Sequence, residues 1–256
     1  AFVARRAEVR MRSDARFGDV ALHLRRAESR EALDFTATSA GGKPAEVRLA
    51  PAANGAKAID AKSGDLGALF AGVFGVTSVK GGEGAMALTL APPAADGKSA
   101  IEGRADARNL RVVKAPLLAR IFAAGSFDGL ADLLNGEGID LAKARTDFAY
   151  HDGVISIRNA RATGPSIGIT GEGTISAWKD GAVTLSGAVA PAYQLNSFLG
   201  KAPIVGDLLI NRKGEGLVAL SYSVSGPTSS PAVAVNPLSA LTPGVLRRMF
   251  EGREEG

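Results

Sequence analysis

Apolar and polar residues alternate in short runs along most of the chain: Val20/Leu22/Leu24, Leu33/Phe35/Ala37, Met86/Leu88/Leu90, Phe148/Tyr150, Ile155/Ile157, Ile167/Ile169 and Val183/Leu185. A period of two places one apolar and one polar face on each run, the signature of half-buried β-strands. Between several runs stand the dipeptides Asn54-Gly55, Asp96-Gly97, Asp152-Gly153 and Asp180-Gly181. Their residues accept the positive φ of tight primed turns, so each predicts a local hairpin. Consecutive hairpins predict an antiparallel meander.

Four stretches break this alternation with a helical period. From Ser63 to Gly75, Leu66, Leu69, Phe70, Val73 and Phe74 form one apolar stripe. A second helix opens at Pro116, a favoured first helical residue, and carries Leu117, Leu118, Ile121 and Phe122 as far as Gly125. Beyond it lies Phe127, and Ser126 is placed to cap a continuation with Leu130, Leu133 and Leu134, ending at Gly136. A short third stretch holds Leu195, Phe198 and Leu199. The last runs from Thr242 and Pro243 through Val245, Leu246, Met249 and Phe250. Gly-Glu-Gly triplets centred on Glu83, Glu137, Glu172 and Glu215 each precede a strand-like run, which reads as a loosely repeated unit of helix and then strand. Their unequal spacing argues against a strict solenoid, and their glycines are expected to open strands.

Composition narrows the function more than it names it. The 256 residues suffice for a substantial core, and no run is apolar enough to form a spanning helix. The chain opens on Ala1-Phe2-Val3 without a leader pattern, so it reads as a fragment whose targeting segment lies elsewhere. Cysteine is absent, which removes disulfides, thiolate metal sites and a thiol nucleophile. The net charge of +4 comes from 30 basic residues scattered among 26 acidic ones, and aromatics make up 5%, a poor match to nucleic-acid binding. The same low aromatic content disfavours an outer-membrane barrel with its aromatic girdles.

The two histidines, His23 and His151, fall in or beside strands without a partner at a recognised catalytic spacing. No Gly-Glu-Gly triplet supplies a full phosphate-loop fingerprint, and no carboxylate pair stands out. The sequence therefore predicts no catalytic residue, no metal and no cofactor. What remains is amphipathic surface, including the terminal stripe Val245, Leu246, Met249 and Phe250.

Several segments carry a family resemblance. They are Ala115-Pro116-Leu117-Leu118-Ala119-Arg120, Leu134-Asn135-Gly136-Glu137-Gly138-Ile139, Asp152-Gly153-Val154 and Ala162-Thr163-Gly164-Pro165-Ser166-Ile167-Gly168. Further on stand Pro191-Ala192-Tyr193-Gln194-Leu195-Asn196, Val224-Ser225-Gly226-Pro227 and, most specific of all, Val235-Asn236-Pro237-Leu238-Ser239-Ala240-Leu241-Thr242-Pro243-Gly244. Over about 115–250 the chain resembles the C-terminal region of the AsmA-like family of Gram-negative envelope proteins, alphaproteobacterial members related to YhdP and, more distantly, TamB. Residues 1–110 match only in character, through alternating strands and Asp65-Leu66-Gly67-Ala68-Leu69.

The resemblance implies a periplasmic protein anchored in the inner membrane through a segment missing from this chain. It implies a mainly β fold with short α-helices, in which an elongated antiparallel meander forms a curved, groove-like sheet capped by amphipathic helices. Residues 1–110 would form a strand-rich part with one helix, and 111–256 the AsmA-like C-terminal region. The implied partners are phospholipid acyl chains, a membrane surface (the outer membrane) and an envelope protein, and the implied activity is non-enzymatic lipid conveyance between membranes. Leu117, Leu118, Ile121, Phe122, Phe127, Leu130, Leu133, Leu134, Val245, Leu246, Met249 and Phe250 are the expected lipid- or membrane-contacting residues. The alternative is a structural or assembly module of the envelope that carries no lipid; an enzyme is a distant third.

Overall fold

The computed structural model describes residues 2–27, 30–176, 181–191 and 219–238. They build one 13-stranded sheet in which every strand pairs antiparallel with its neighbour in sequence. The first six strands are β1 (Phe2–Arg10), β2 (Arg16–Ala27), β3 (Arg30–Ser39), β4 (Pro44–Pro51), β5 (Lys57–Ser63) and β6 (Val79–Leu90). The remaining seven are β7 (Ile101–Val112), β8 (Ile139–His151), β9 (Val154–Thr163), β10 (Ile167–Ser176), β11 (Ala182–Pro191), β12 (Ala219–Pro227) and β13 (Ala232–Leu238). The sheet is curved and open, with β1 and β13 as its edges.

Local turn chemistry sets the order. Asp152 (φ 46°) and Gly153 (φ 75°) close the β8–β9 hairpin as a two-residue turn, with His151 paired to Val154. Asn54 (φ 56°) and Gly55 (φ 75°) sit in a single 3-10 turn between β4 and β5. Gly97 lies in a longer loop joining β6 to β7. Asp180 falls outside the described residues, but β10 and β11 do pair antiparallel, up to Ile175 opposite Val183. Register shifts at Gly18/Ala21, Arg145/Asp147 and Gly171/Gly173 are bulges that bend strands and strengthen twist, which curves so long a sheet.

The helices enter at alternate turns of the meander. α1 (Leu66–Leu69) continues as a π-turn, Phe70–Phe74, between β5 and β6; α2 (Pro116–Ala124) and α3 (Asp128–Asn135) lie between β7 and β8. All three therefore stand at the same end of the strands. They also share one face: Leu66 packs over Gly84, where an added Cβ would lie 2.9 Å from a Leu66 methyl, while Phe122, Leu130 and Leu134 join Leu110, Ile139, Ile167, Val189 and Leu220 in the main core. Gly125, the C-cap of α2, sits so close to β12 that a Cβ there would meet Leu220 Cδ1 at 2.1 Å.

Three details differ from the sequence expectation. The stripe of the first helix is split: Leu66 is buried, but Val73 and Phe74 are 39% and 61% exposed. The π-turn causes this, because its wider winding rotates the last residues away from the face set by Leu66 and Leu69. Ser126 does not cap α3; it takes φ 59° one residue earlier, and Phe127 stands at the N-cap, held by its N–H donating to Phe122 O at 2.8 Å and by its buried ring. Finally, Gly82-Glu83-Gly84 and Gly171-Glu172-Gly173 lie inside β6 and β10 instead of opening them, because these glycines admit close approach and bulging within the strand. Only Glu137 sits as expected, in the turn between α3 and β8; Glu215 and the helical stretches with Leu195, Phe198 and Leu199 and with Val245, Leu246, Met249 and Phe250 lie outside the described residues.

An apolar strip across the sheet as the candidate functional site

Directly opposed residues in an antiparallel ladder share a face, so register converts the alternation within each strand into rows running across strands. One row crosses the entire sheet. From the β1 edge it runs Phe2, Leu24, Leu33, Leu49, Ile59 and Leu88. It continues through Gly103, Phe148, Ile157, Gly173, Leu185 and Val224 to Val233 on β13. Eleven of these 13 side chains are large and apolar, and the other two are glycine. At about 4.8 Å per strand, twelve steps make a strip roughly 57 Å long.

The strip lies toward the strand ends away from the helices. From Leu24 to Leu185 its side chains are half-buried, with Val224 fully buried. Nearer the helices a parallel row has short side chains: Ala37, Ala45, Ser63, Gly84, Ala107, Ala144 and Ala162. Short floor residues beneath overhanging helices leave a hollow of about 550 Å³. Leu66, Leu69, Phe70 and Phe74 wall it on one side and Leu110, Ile169 and Tyr222 on the other, above a floor that includes Met86 and Ala105. Its volume falls among those of small-molecule sites, about 300–1,000 Å³.

The opposite face is charged, and its charges alternate. A single row reads His23, Asp34, Arg48, Asp60, Ala87, Arg104, Asp147 and Arg158 from β2 to β9. Asp34 accepts from Arg48 Nε at 3.2 Å and from Arg25 Nη2 at 2.6 Å; Asp147 accepts from Arg104 Nε at 2.7 Å. The Arg48 guanidinium first, then Arg25, holds the Asp34 carboxyl below the usual range, and Arg104 with Asn159 does the same for Asp147. On β7 and β8, Arg111 grips Asp140 through Nε at 2.6 Å and Nη2 at 3.0 Å. This face therefore belongs in water, and the apolar face carries the possible ligand chemistry.

Register also sets His23 opposite Asp34, a pairing the sequence spacing did not reveal. That carboxylate is already bonded to two arginines, and His151 is exposed beside Asp152, which pairs with Lys98. Among the described residues, neither imidazole has an oriented base or nucleophile. Among the described residues no group of three His, Cys, Asp or Glu side chains is arranged to hold a metal ion.

The sequence-predicted contact residues on α2 and α3 are brought together, but facing the sheet. Phe122 and Leu134 are fully buried, and Ile121, Phe127 and Leu130 are at most 9% exposed. Leu117 and Leu118 are half-buried against the same core, and Leu133 alone is exposed, at 40%. Their placement makes them the seal over the β7–β13 end of the sheet. Sequence reading missed the strip itself. Leu49, Ile59, Val224 and Val233 each carried the alternating signal, but register depends on turn lengths and bulges that the pattern within one strand does not encode.

No family model, curated protein or solved structure matches this chain.

Proposed function

We propose that the protein is a passive conduit for phospholipid acyl chains: a non-enzymatic, periplasmic part of a bridge between inner and outer membranes. One observation carries this reading, the unbroken apolar row from Phe2 to Val233 on one face of a sheet whose other face is an ion-pair ladder. A compact β domain covers its apolar face with a second layer. Here the helices described cover one end of the strands and leave the row half-exposed from Leu24 to Leu185. Acyl chains lying lengthwise would desolvate that strip while their headgroups stay in water at its open side. The sequence resemblance to AsmA-like proteins agrees with this reading.

The direct test is a photocrosslinking amino acid placed at Phe148 in the full chain, compared with one at Arg104 on the charged face. Phospholipid adducts at Phe148 and none at Arg104 are expected; absence of lipid at both positions overturns the proposal. The second reading, an assembly module without lipid, draws on the α2–α3 seal and on β1 and β13, the edges of the sheet among the described residues, which suit strand addition by a partner. It predicts protein crosslinks at Phe2 or Val233 with no lipid at Phe148.

A further inference from the structure

Large apolar side chains are exposed at eight described positions, and four of them gather at one rim of the sheet: Met11, Val73, Phe74 and Val76. They come from two segments that touch, the turn after β1 and the π-turn; an added Cβ on Gly72 would lie 3.3 Å from Met11 Cβ and 3.1 Å from the Phe17 ring. A continued α-helix would have kept Val73 and Phe74 on the stripe of Leu66 and Leu69. The π-turn instead turns them outward, with Val76 N–H closing onto Phe70 O at 3.1 Å. Phe74 also walls the apolar hollow and packs on Phe70, ring centroids 5.7 Å apart. The exposed patch and the interior of the groove are thus one continuous apolar surface with Phe74 at the threshold.

The charge around this rim identifies the occupant. Arg10 and Arg16 are matched by Asp14 and Glu8, and Asp65 is spent on capping α1. Lys43, beside Gly64, and Lys80, whose backbone packs on Gly67, flank α1; both are exposed, and neither forms a salt bridge among the described residues. An aromatic and aliphatic tip with unmatched ammonium groups beside it suits the interface of a phospholipid bilayer, apolar below and anionic at the headgroups. We propose that Met11, Val73, Phe74 and Val76 form a docking surface for a phospholipid bilayer, with Phe74 as the threshold an acyl chain crosses into the groove. The crossing rests on the conduit reading; the docking does not.

The test is flotation of the full chain with vesicles of phosphatidylethanolamine and phosphatidylglycerol, and with vesicles of phosphatidylcholine alone. Val73→Ser with Phe74→Ser should weaken binding to both about tenfold per folded molecule, beyond any loss of stability from the Phe70–Phe74 contact. Lys43→Glu with Lys80→Glu should weaken binding to the anionic vesicles only. Val154→Ser, exposed at the opposite strand ends, should change neither. Unchanged flotation of the Val73/Phe74 variant overturns the proposal. So does loss of self-association, which would mean that a second copy covers the patch. If Phe148 never crosslinks lipid but flotation depends on Phe74, the conduit fails and the docking surface stands; lipid at Phe148 with flotation indifferent to Phe74 is the reverse.

Discussion

Tyr222 on β12 lies flat across its register partner Gly187 and reaches Gly171 on β10, donating its hydroxyl to Thr170 O at 2.8 Å. A Cβ at Gly187 would come within 2.7 Å of the Tyr222 hydroxyl, so the two glycines are the slot that lets an aromatic ring bind three strands together. Burial pushes the Tyr222 pKa up from 10.0 to about 12. The neutral phenol is thus favoured in the folded state, and its contribution is complete below pH about 10 and lost as pH rises to about 12. Tyr222→Phe should cost about 0.5–1.5 kcal/mol at neutral pH through the lost hydrogen bond. Because a rise from 10.0 to about 12 corresponds to roughly 2–3 kcal/mol, more than that advantage, the native residue should become less stable than Phe at the alkaline end of the window. Urea titrations of both proteins at several pH values check this, and a constant difference would mean that the hydroxyl is not buried. The carboxylates of the charged face have the opposite sign: Asp34, Asp140 and Asp147 are held low by Arg48, Arg111 and Arg104 respectively, so their support is present above pH about 4 and fades below it. Acid titration in low and high salt should show that loss diminished by screening, since the pairs are exposed.

At the scale of elements, α2 and α3 act as a wedge: Ile121, Phe122, Leu130 and Leu134 point into the sheet, and burying four such side chains contributes at most about 6–12 kcal/mol. Phe122→Ala should therefore lower stability by about 3–5 kcal/mol, whereas Leu133→Ser, at an exposed position, should change it by no more than about 0.5 kcal/mol. Vesicle binding per folded molecule should be unaltered by either change. A membrane role for these helices would show as lost binding in Leu133→Ser at full stability. The segment's existence, its Pro116 start and its Gly125 and Gly136 stops were legible from residue chemistry that acts locally. Which side of it would be buried was not, because eight large apolar residues in 20 exceed one stripe and only the sheet beneath selects among them. The same limit applies to α1, where nothing in Leu66 to Phe74 announces a change from α to π winding. That change follows from seating Leu66 over Gly84 while Gly72 fits against Phe17.

For the whole molecule, alternation within strands and the Asn-Gly and Asp-Gly turns were enough to read an antiparallel meander, since each hairpin is a local event. The strip across 13 strands is a property of accumulated register: one residue of slip at any hairpin would move every later side chain to the other face. That dependence supplies a test of transport that no single binding site would pass. A conduit is a series of steps, so blocking any one blocks all. Ile59→Asp, Leu88→Asp, Phe148→Asp and Leu185→Asp stand on β5, β6, β8 and β11, separated by up to six strand spacings, about 29 Å. Each places a carboxylate on a half-buried position where water still reaches it, so folding should survive. In a donor-to-acceptor vesicle assay with the full chain, all four should reduce phospholipid transfer to a similar low level, and combining any two should reduce it little further. Arg104→Glu on the charged face should leave transfer intact, though it loses the pair with Asp147. If lipid instead occupies only the hollow beneath α1, where Met86 and Ala105 line the floor, Leu88→Asp would matter most and Leu185→Asp, five strands away, would be silent. Equal loss at all four positions is the signature of lengthwise passage, and a gradient centred on β6 would reduce the strip to a single binding site.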